Sequence, residues 1–554
     1  MESNFLTPVK LWEDFNPKQD PLKVSIIENI EVNGFPTRSL FFTALHDGNG
    51  EIRAYAKIVS PPTSIQNQKR NKQKFILYIP DIKEGQDIDE KLRDFASRDY
   101  TVAVVDLLGS GERHTLYPES FAYGKYVNAK RNLHNCTPNA TASPMFLWAK
   151  ILRRFLSVVE EYYPNVKPVC VAERAGNELL WPLVAFDTRI YGGLSILGSG
   201  FGSFLGFNKP TIKENDDNAH KWEMALSPQS YVKFTACPIL IVTCANNDSG
   251  EFDKLDNLVR LLPEQSLCST IVSNRLSKQI SETSYASMWR WLEGRYSAKK
   301  ELPKSPDLTY GVENGKLVIT VSPDESEKKV SMVSVYYSYD EPNPEYRNWH
   351  TIKGKNETDY KFNITVSEHD KEIYTYANVQ YRDNVEIAST PIKIGLDNLK
   401  TITRRRITPN KLLFDTSKEN DFFAETDDVV LKDFTCMKEE LESGLSGICV
   451  RKGKLVSFNV NEQRTLNANG MLQMSVYTIT ERNIIIRLTT LEDGKYKRYD
   501  AKAYIPAGFD WQKLKFDADD FRDDKQIGMD GWNNLKKIEI INAEGILFNN
   551  MLWV

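Results

Sequence analysis

Between residues 70 and 297, short apolar segments alternate with longer segments in which apolar side chains recur every three or four positions. The short segments are rich in β-branched residues and predict strands; they are KFILYIPD, DYTVAVVDLLG, PVCVAERAG, IYGGLSILGSG and CPILIVTCAN. Two longer segments, MFLWAKILRRFLSVVEEYY and ELLWPLVAF, predict helices, and the first has apolar side chains at 148, 151, 152, 155, 158, 159 and 162. Continuous apolar strands separated by helices are typical of an α/β fold, in which a mostly parallel sheet is covered by helices on both faces.

After the segment ELPKSPD at residues 301–307, apolar positions begin to alternate with polar ones. KLVITVSPD, KVSMVSVYYSYD, YKFNITVSE and IYTYANVQYRD follow this period of two and predict a small β-sandwich. More strands are predicted up to the closing ILFNNMLWV, and a second sandwich of jelly-roll type is the simplest interpretation. We therefore expect an N-terminal segment at 1–69 that packs on an α/β domain at 70–300, followed by all-β domains at 301–398 and 399–554.

Composition narrows the classes of function. The 554-residue chain has a formal charge of −4, so it lacks the basic surplus that a nucleic-acid partner requires. The first residues lack the basic start and apolar core of a signal peptide, and no apolar run reaches about 18 residues; we expect a cytoplasmic protein with no membrane partner. Seven cysteines without a CxxC pair argue against both a disulfide framework and a zinc site.

The segment KPVCVAERAG has the apolar run, small residues and closing glycine of a strand that turns sharply into a helix. In serine hydrolases such a turn has the pattern Gly-x-Ser-x-Gly, and the serine at its apex is the nucleophile. The five positions are filled here by Ala172, Glu173, Arg174, Ala175 and Gly176. An arginine, permanently protonated and not nucleophilic, thus stands at the nucleophile position.

Several segments in their chain order resemble the α/β-hydrolase superfamily, and in particular proteins of the acetyl-xylan-esterase and dienelactone-hydrolase kind. DYTVAVVDLLGSGER is similar to the family's strand that ends in Asp and a Gly-x-Gly-like turn, with Gly109 and Gly111 in the glycine places. CPILIVTCANNDS is similar to the strand that delivers the catalytic acid, with Asp248 at its end, and SYASMWRWLEG resembles the last helix. The resemblance implies an α/β-hydrolase fold and, in an intact member, carboxylic-ester hydrolysis by a serine, a histidine and an acid.

Three elements of that chemistry are altered together. Arg174 replaces the serine, and the stretch TIVSNRLSKQISETS, where the resemblance places the histidine, has no imidazole and leaves the base position empty near Ser277. The His-Gly of the oxyanion region is replaced by Pro80 and Asp81. We therefore predict a degenerate triad with no catalytic residue, no metal and no cofactor, and name four candidate ligand-binding residues: Arg174, Asp248, Asp81 and Ile82.

Two functions stay open at this point. The first is a pseudo-esterase that binds or scaffolds, in which Arg174 at the start of a helix holds an anionic or carbohydrate ligand, or forms an ion pair with Asp248 or Glu112. The second is an active carboxylic-ester hydrolase of the acetyl-esterase type with a non-standard site, for example Ser199 or Ser203 with a histidine from elsewhere. Whether the ligand is a small molecule, a carbohydrate or a protein, and the oligomeric state, are not decided by the residues.

The C-terminal residues resemble the jelly-roll modules appended to bacterial sugar-ester hydrolases, and the middle segment resembles their fibronectin-type sandwich. Trp511, Trp532 and Trp553 either stack on sugar rings or, as we expect, belong to the core.

The acidic loop FDADDFRDDKQIGMDGW does not have the EF-hand spacing, because Phe521 stands where a ligand oxygen belongs, so a solvated loop is preferred to a calcium site. His114 and His134 flank a tyrosine-rich insertion and lack the spacing of metal ligands.

Overall fold

The computed structural model describes most of the chain. The described residues are 5–62, 73–83, 85, 87–129, 133–198, 216–247, 252–275, 278–297, 301–354, 360–406, 411–416, 423–426, 437–451, 453–458, 460 and 470–554. The predicted candidates Asp248 and Ser277, and the alternative nucleophiles Ser199 and Ser203, lie outside them.

The first nine strands belong to a 14-stranded sheet, in which they lie in the order β1-β2-β3-β5-β4-β6-β7-β8-β9. Strands β4 to β9 pair in parallel, whereas β1, β2 and β3 pair antiparallel to their neighbours. This confirms the mostly parallel sheet that the apolar segments predict. The strands are β1 (Ser25–Val32), β2 (Phe35–His46), β3 (Glu51–Val59), β4 (Lys74–Ile79), β5 (Tyr100–Val105), β6 (Lys167–Glu173), β7 (Gly192–Ile196), β8 (Ile239–Cys244) and β9 (Cys268–Ser273).

Helices cover both faces of this sheet, as successive residues of β4 demonstrate. Phe75, Leu77 and Ile79 belong to the core under the long helix α4 (Pro144–Tyr162), whereas Ile76 and Tyr78 belong to the core on the opposite face. The apolar stripe of α4 is buried as predicted, apart from the partly exposed Tyr162 at its end. The helices are α1 (Pro8–Trp12), α2 (Asp89–Ser97), α3 (Tyr126–Ala129), α4 (Pro144–Tyr162), α5 (Asn177–Phe186), α6 (Asp217–Ala225), α7 (Pro228–Tyr231), α8 (Leu255–Leu261) and α9 (Glu282–Gly294).

The large sheet continues without a break into the predicted second domain. Strand β17 pairs with β9 through Ala388 and Thr270, and β16, β12 and β13 follow, with β18 also on β16. A three-stranded sheet, β10-β11-β14, packs against this extension around a shared apolar core. The strands are β10 (Asp307–Glu313), β11 (Lys316–Ser322), β12 (Val330–Tyr339), β13 (His350–Gly354), β14 (Lys361–Ile364), β15 (Val366–Ser367), β16 (Glu372–Tyr381), β17 (Glu386–Ala388) and β18 (Ile392–Gly395).

The C-terminal part has two antiparallel sheets around one apolar core, β22-β23-β30-β25-β28 with β20, and β21-β24-β29-β26-β27. The alternation of apolar and polar residues in these strands produces this arrangement, because only one face of each sheet is buried. The strands are β19 (Arg404–Arg405), β20 (Leu412–Asp415), β21 (Ala424–Thr426), β22 (Met437–Glu440), β23 (Ser446–Cys449), β24 (Lys454–Ser457), β25 (Leu472–Tyr477), β26 (Arg482–Glu492), β27 (Lys495–Ile505), β28 (Gln512–Phe516), β29 (Leu535–Ile541) and β30 (Leu547–Trp553).

The loop at residues 341–349, between β12 and β13, contacts both the α/β part and the C-terminal part. The buried Arg347 forms a two-pronged ion pair with Asp253, at 2.5 and 2.6 Å, and its guanidinium lies 3.6 Å from the ring centre of Tyr374. On the other side, Glu341 accepts a hydrogen bond from Tyr496 Oη at 2.6 Å and pairs with Lys536 Nζ at 2.9 Å. The three parts of the chain are therefore joined through one buried polar network.

No helix among the described residues has both the length and the apolar composition needed to cross a bilayer. The six described cysteines are all buried, and none of them forms a disulfide.

Candidate functional site

The predicted sharp turn between β6 and α5 is present, with Arg174 at its apex. Arg174 has φ +48°, a left-handed backbone conformation that is uncommon and strained for a residue with a β-carbon. Residues Arg174–Gly176 form one short 3₁₀ turn, and α5 begins immediately afterwards. The strand, the strained apex and the helix together have the geometry of a nucleophile elbow.

Gly176 is required by the close approach of this turn to the end of β4. A β-carbon at position 176 would lie 2.4 Å from the carbonyl oxygen of Pro80 and 2.9 Å from that of Ile79. Both atoms belong to the backbone, so they cannot swing away as a flexible side chain does. The closing glycine of the sequence pattern therefore holds the elbow against the neighbouring strand.

The first backbone N–H after the apex donates a hydrogen bond to a side chain of the protein. Ala175 donates it to Asp81 Oδ1 at 3.1 Å, although the two residues are 94 positions apart in the chain. In a serine hydrolase the corresponding N–H helps to bind the oxyanion of the reaction intermediate. Here a carboxylate of the protein occupies that position, where the start of a helix favours negative charge.

The guanidinium of Arg174 reaches the loop that follows β9. Its Nη2 donates to the carbonyl oxygen of Lys278 at 2.7 Å, and Arg174 itself is partly exposed. This is the loop in which the resemblance places the missing histidine. The predicted pairing of Arg174 with Asp248 falls outside the described residues.

The first described residues after β8 and β9 are hydrogen-bonded to the 341–349 loop. Asn246, which follows β8, donates to the carbonyl oxygens of Pro344 and Arg347 at 2.8 and 2.9 Å. Arg275, which follows β9, donates through Nε to the carbonyl oxygen of Trp349 at 2.9 Å and has φ +57°. Asn246 and Arg275, which precede the predicted acid and base positions, are thus bonded to the neighbouring β-structure.

A pocket of about 530 Å³ opens beside the elbow, at the carboxyl ends of β4 and β5. Two of the predicted ligand-binding residues, Asp81 and Ile82, line it, whereas Arg174 is not among its lining residues. Most of the wall is aliphatic or aromatic, with Ile79, Val104, Leu107, Leu108, Leu179 and Trp148 among its members. A pocket of this size and character accommodates a small organic molecule.

The charged groups of this pocket are paired. Lys57 lies 2.7 and 2.8 Å from the carboxylate oxygens of Asp89, and Arg113 is paired with Glu28. The carboxylate of Asp106 accepts backbone N–H groups from residues 108, 109 and 115, while burial raises its pKa above the usual range for an aspartate. Asp106 therefore fixes the turn that forms one wall.

The pocket residues supplied by β3, Tyr55 and Lys57, were missed by the sequence reasoning. They come from a segment before residue 70, which the sequence pattern assigned only to packing on the α/β domain. The only indication in the sequence is the alternation of apolar and polar residues in AYAKIV. This alternation places the side chains of Tyr55 and Lys57, which both end in a polar group, on one face of a strand.

The two histidines that flank the insertion have separate partners. His114 Nδ1 lies 2.9 Å from the carbonyl oxygen of Gly111, and His134 Nε2 lies 2.9 Å from Glu178 Oε2 near the start of α5. Within the described part of the chain, no three His, Cys, Asp or Glu side chains are grouped as metal ligands are.

The C-terminal tryptophans divide into two groups. Trp532 and Trp553 are 3% and 4% exposed and contact each other with ring centres 4.7 Å apart, so both belong to the core, as expected. Trp511 is partly exposed, and its ring packs edge-on against that of Tyr477 with the ring centres 6.2 Å apart.

Phe521, which stands among the aspartates of the acidic loop, is fully buried and therefore has a packing role there.

Comparison with known proteins gives structural neighbours only. No protein-family model matches the chain, and no curated protein sequence matches it. An acetyl xylan esterase from a Paenibacillus species has 11% identity and a TM-score of 0.37, covering 50% of this chain and 90% of that one. Acetyl xylan esterase 1 from a Thermoanaerobacterium species has 14% identity and a TM-score of 0.36, with 53% and 96% covered. A cold-adapted esterase from an Arctic intertidal metagenomic library has 13% identity and a TM-score of 0.29, with 45% and 88% covered.

Proposed function

We propose that this chain is a catalytically degenerate α/β-hydrolase-fold protein, a pseudo-esterase that binds a ligand and does not hydrolyse it. The observation that carries the proposal is the hydrogen bond from the Ala175 N–H to Asp81 beside an apex occupied by Arg174. A fold does not entail its usual activity, so the chemistry has to be argued from these groups.

The elbow supplies neither of the two groups that acyl transfer needs. Arg174 has no lone pair available for attack, since its guanidinium stays protonated. The N–H of Ala175 is directed at a carboxylate, and a second negative charge, such as the oxyanion of a tetrahedral intermediate, would be repelled from the same position. A binding role for the adjoining pocket is compatible with both features.

The contacts of the described residues after β9 support the same proposal. A hydrolase needs its base within hydrogen-bond distance of the nucleophile, about 2.6 to 3.2 Å. In this chain the loop after β9 offers the Lys278 carbonyl to Arg174 and binds Trp349 through Arg275. The first of these contacts is made inside the α/β part, and the second joins that part to the β-structure.

Replacing the apex residue tests the proposal. We expect Arg174→Ser to hydrolyse 4-nitrophenyl acetate no faster than the parent protein, because a serine without a base remains a weak nucleophile. Losing a hydrogen bond from a charged group costs about 1.5 to 3 kcal/mol, which is less than the usual free energy of unfolding of about 5 to 15 kcal/mol, so the variant should fold. Arg174→Ala is the matched control. Turnover by Arg174→Ser at least tenfold above Arg174→Ala would show that a base is present and that the proposal is wrong.

The alternative, an active carboxylic-ester hydrolase with a non-standard site, is favoured by one observation. His134 has a carboxylate partner, Glu178, and a histidine oriented by an acid is the usual base of such enzymes. This alternative requires that the parent protein hydrolyses acetyl esters and that His134→Gln abolishes the activity. If the parent protein does not hydrolyse acetyl esters, this alternative is wrong.

For the β-structure we propose a fibronectin- or Ig-like sandwich at 301–398 and a jelly-roll resembling carbohydrate-binding modules at 399–554. The two-sheet arrangement of each part supports this division. Because Trp532 and Trp553 are core residues, Trp511 is the tryptophan of the three that we propose for contact with a carbohydrate or protein partner.

A further inference from the structure

A second cavity lies at the edge of the sheet opposite the elbow, between the α/β part and the β-structure, and has a volume of about 730 Å³. One wall comes from the amino ends of β8 and β9, with Pro238 and Cys268 among its residues. The other comes from the segment 301–309, which leads into β10, and from the loop between β11 and β12. Because the elbow follows the carboxyl end of β6, this cavity is separate from the pocket beside the elbow.

Arg295, directly after α9, is a cation of the cavity wall that forms no ion pair with the described residues. Its guanidinium lies 5.1 Å from the ring centre of the buried Trp291, and its Nε is buried without a hydrogen-bond partner in the described part of the chain. Its stem packs against the start of β7, where a β-carbon on Gly192 would lie 3.3 Å from the arginine Cδ. The residue as a whole is partly exposed, so a ligand that brings an acceptor can reach it and satisfy the buried donor.

The remaining charged groups of the lining either have partners or are exposed. Arg260 pairs with Asp256 at 2.6 Å, and Lys328 pairs with Asp383 at 2.8 Å. Asp324 accepts hydrogen bonds from two backbone N–H groups. The exposed charged groups are Glu301, Lys304, Asp307 and Glu327. Most of these exposed groups are acids, which repel a ligand with several negative charges, so the cavity favours a ligand with one.

The chemistry of Arg295 and of the polar wall defines the ligand. A guanidinium presents its N–H groups in a fixed fork that matches the two oxygens of a carboxylate. A phosphate monoester has a second negative charge at neutral pH and suits the exposed acids less well. Gln265, Ser269 and Thr309 also line the cavity, and within the described chain none of their side chains is hydrogen-bonded. Hydroxyl groups of a ligand can therefore pair with them.

We propose that this cavity binds a small hydroxylated monocarboxylate, with the carboxylate on Arg295 and the hydroxyl groups against the polar wall. Arg295 belongs to the α/β part and Thr309 to β10, so the bound ligand contacts both parts. Because the cavity lies at the opposite edge of the sheet from the elbow, this binding is independent of whether the elbow is catalytic.

Three six-carbon compounds that differ in their number of carboxylates test the preference by isothermal titration calorimetry: D-glucitol with none, D-gluconate with one and D-glucarate with two. We expect gluconate to bind at least about tenfold more tightly than either of the others. Arg295→Met keeps the stem that packs against β7 and removes the guanidinium, so its affinity for gluconate should fall to within about threefold of its affinity for glucitol. Arg260→Met is the matched control, because Arg260 lines the same cavity but is already paired with Asp256; its affinity for gluconate should stay within about threefold of the parent's.

Filling the cavity tests the location. Thr309→Trp should abolish gluconate binding, because it places a large side chain at an exposed position of the lining, whereas Val127→Trp, at an exposed site elsewhere, should not. Glucitol or glucarate binding as tightly as gluconate, an equal loss in Arg260→Met and Arg295→Met, or no gluconate binding to the parent would each overturn the inference. Undiminished gluconate affinity in Arg295→Met or in Thr309→Trp would overturn it as well. Hydrolysis of 4-nitrophenyl acetate by the parent would instead overturn the proposed pseudo-esterase function and leave gluconate binding unaffected.

Discussion

Arg347→Ala should lower the free energy of unfolding by about 3 to 5 kcal/mol, the usual result of removing one partner from a buried ion pair. The side chain of Arg347 is 0% exposed and binds both oxygens of Asp253. It also donates to the carbonyl oxygens of Glu341 and Pro342 at 2.8 and 3.0 Å. The variant leaves these acceptors without their donor and removes the cation from the face of Tyr374.

The measurement is equilibrium urea unfolding followed by tryptophan fluorescence, since Trp349 lies in the affected core. Arg260→Ala is the matched control, because Arg260 is 66% exposed and pairs with Asp256 four residues earlier on the same helix. Pairs of that kind contribute about 0.5 kcal/mol or less. Equal losses in the two variants would contradict the view that the 341–349 loop joins the α/β part to the β-structure.

Gly176→Ala should also be strongly destabilising, by about 3 kcal/mol, at the upper end of the range for overpacking. The new methyl group would lie 2.4 Å from the Pro80 carbonyl oxygen, so the end of β4 and the elbow must separate. That separation also moves Asp81 away from the Ala175 N–H. Binding at the adjoining pocket should weaken in the same variant.

Gly311→Ala is the control for Gly176→Ala, because a β-carbon at position 311 meets no atom within 4 Å and the backbone there does not have a positive φ. Thermal unfolding of the two variants compares the same chemical change at a crowded and an open position. If Gly176→Ala unfolds within about 2 °C of the parent, the elbow and β4 are not in the close contact that excludes a β-carbon at position 176.

The strands and helices of the α/β part were predictable because each depends on the pattern of apolar and polar residues within its own segment. The apolar strands and the stripe of α4 are buried where the periodicity placed them, and the five-residue pattern around Arg174 forms the expected turn. The continuity of the sheet was not predictable, since β9 and β17 pair through only Thr270 and Ala388. No sequence pattern records a pairing of one residue with another more than a hundred positions away.

The candidate site was predicted in part. Asp81 and Ile82 were named at the oxyanion region, where Pro80 and Asp81 replace an expected His-Gly, but the sequence does not indicate that Asp81 would accept the N–H of Ala175. That bond depends on β4 and β6 lying side by side, and Gly176 permits it. Likewise, the partner of Arg174 in the loop after β9 is a backbone carbonyl, which no side-chain pattern predicts.

Intact-protein mass spectrometry after incubation with a fluorophosphonate probe tests the pseudo-esterase account most directly. The probe phosphonylates an activated serine wherever it lies in the chain, so the result does not depend on which serine is considered. We expect the parent protein to keep its unmodified mass while an active serine esterase treated in parallel is fully labelled. A stoichiometric adduct on a serine of the parent would contradict it.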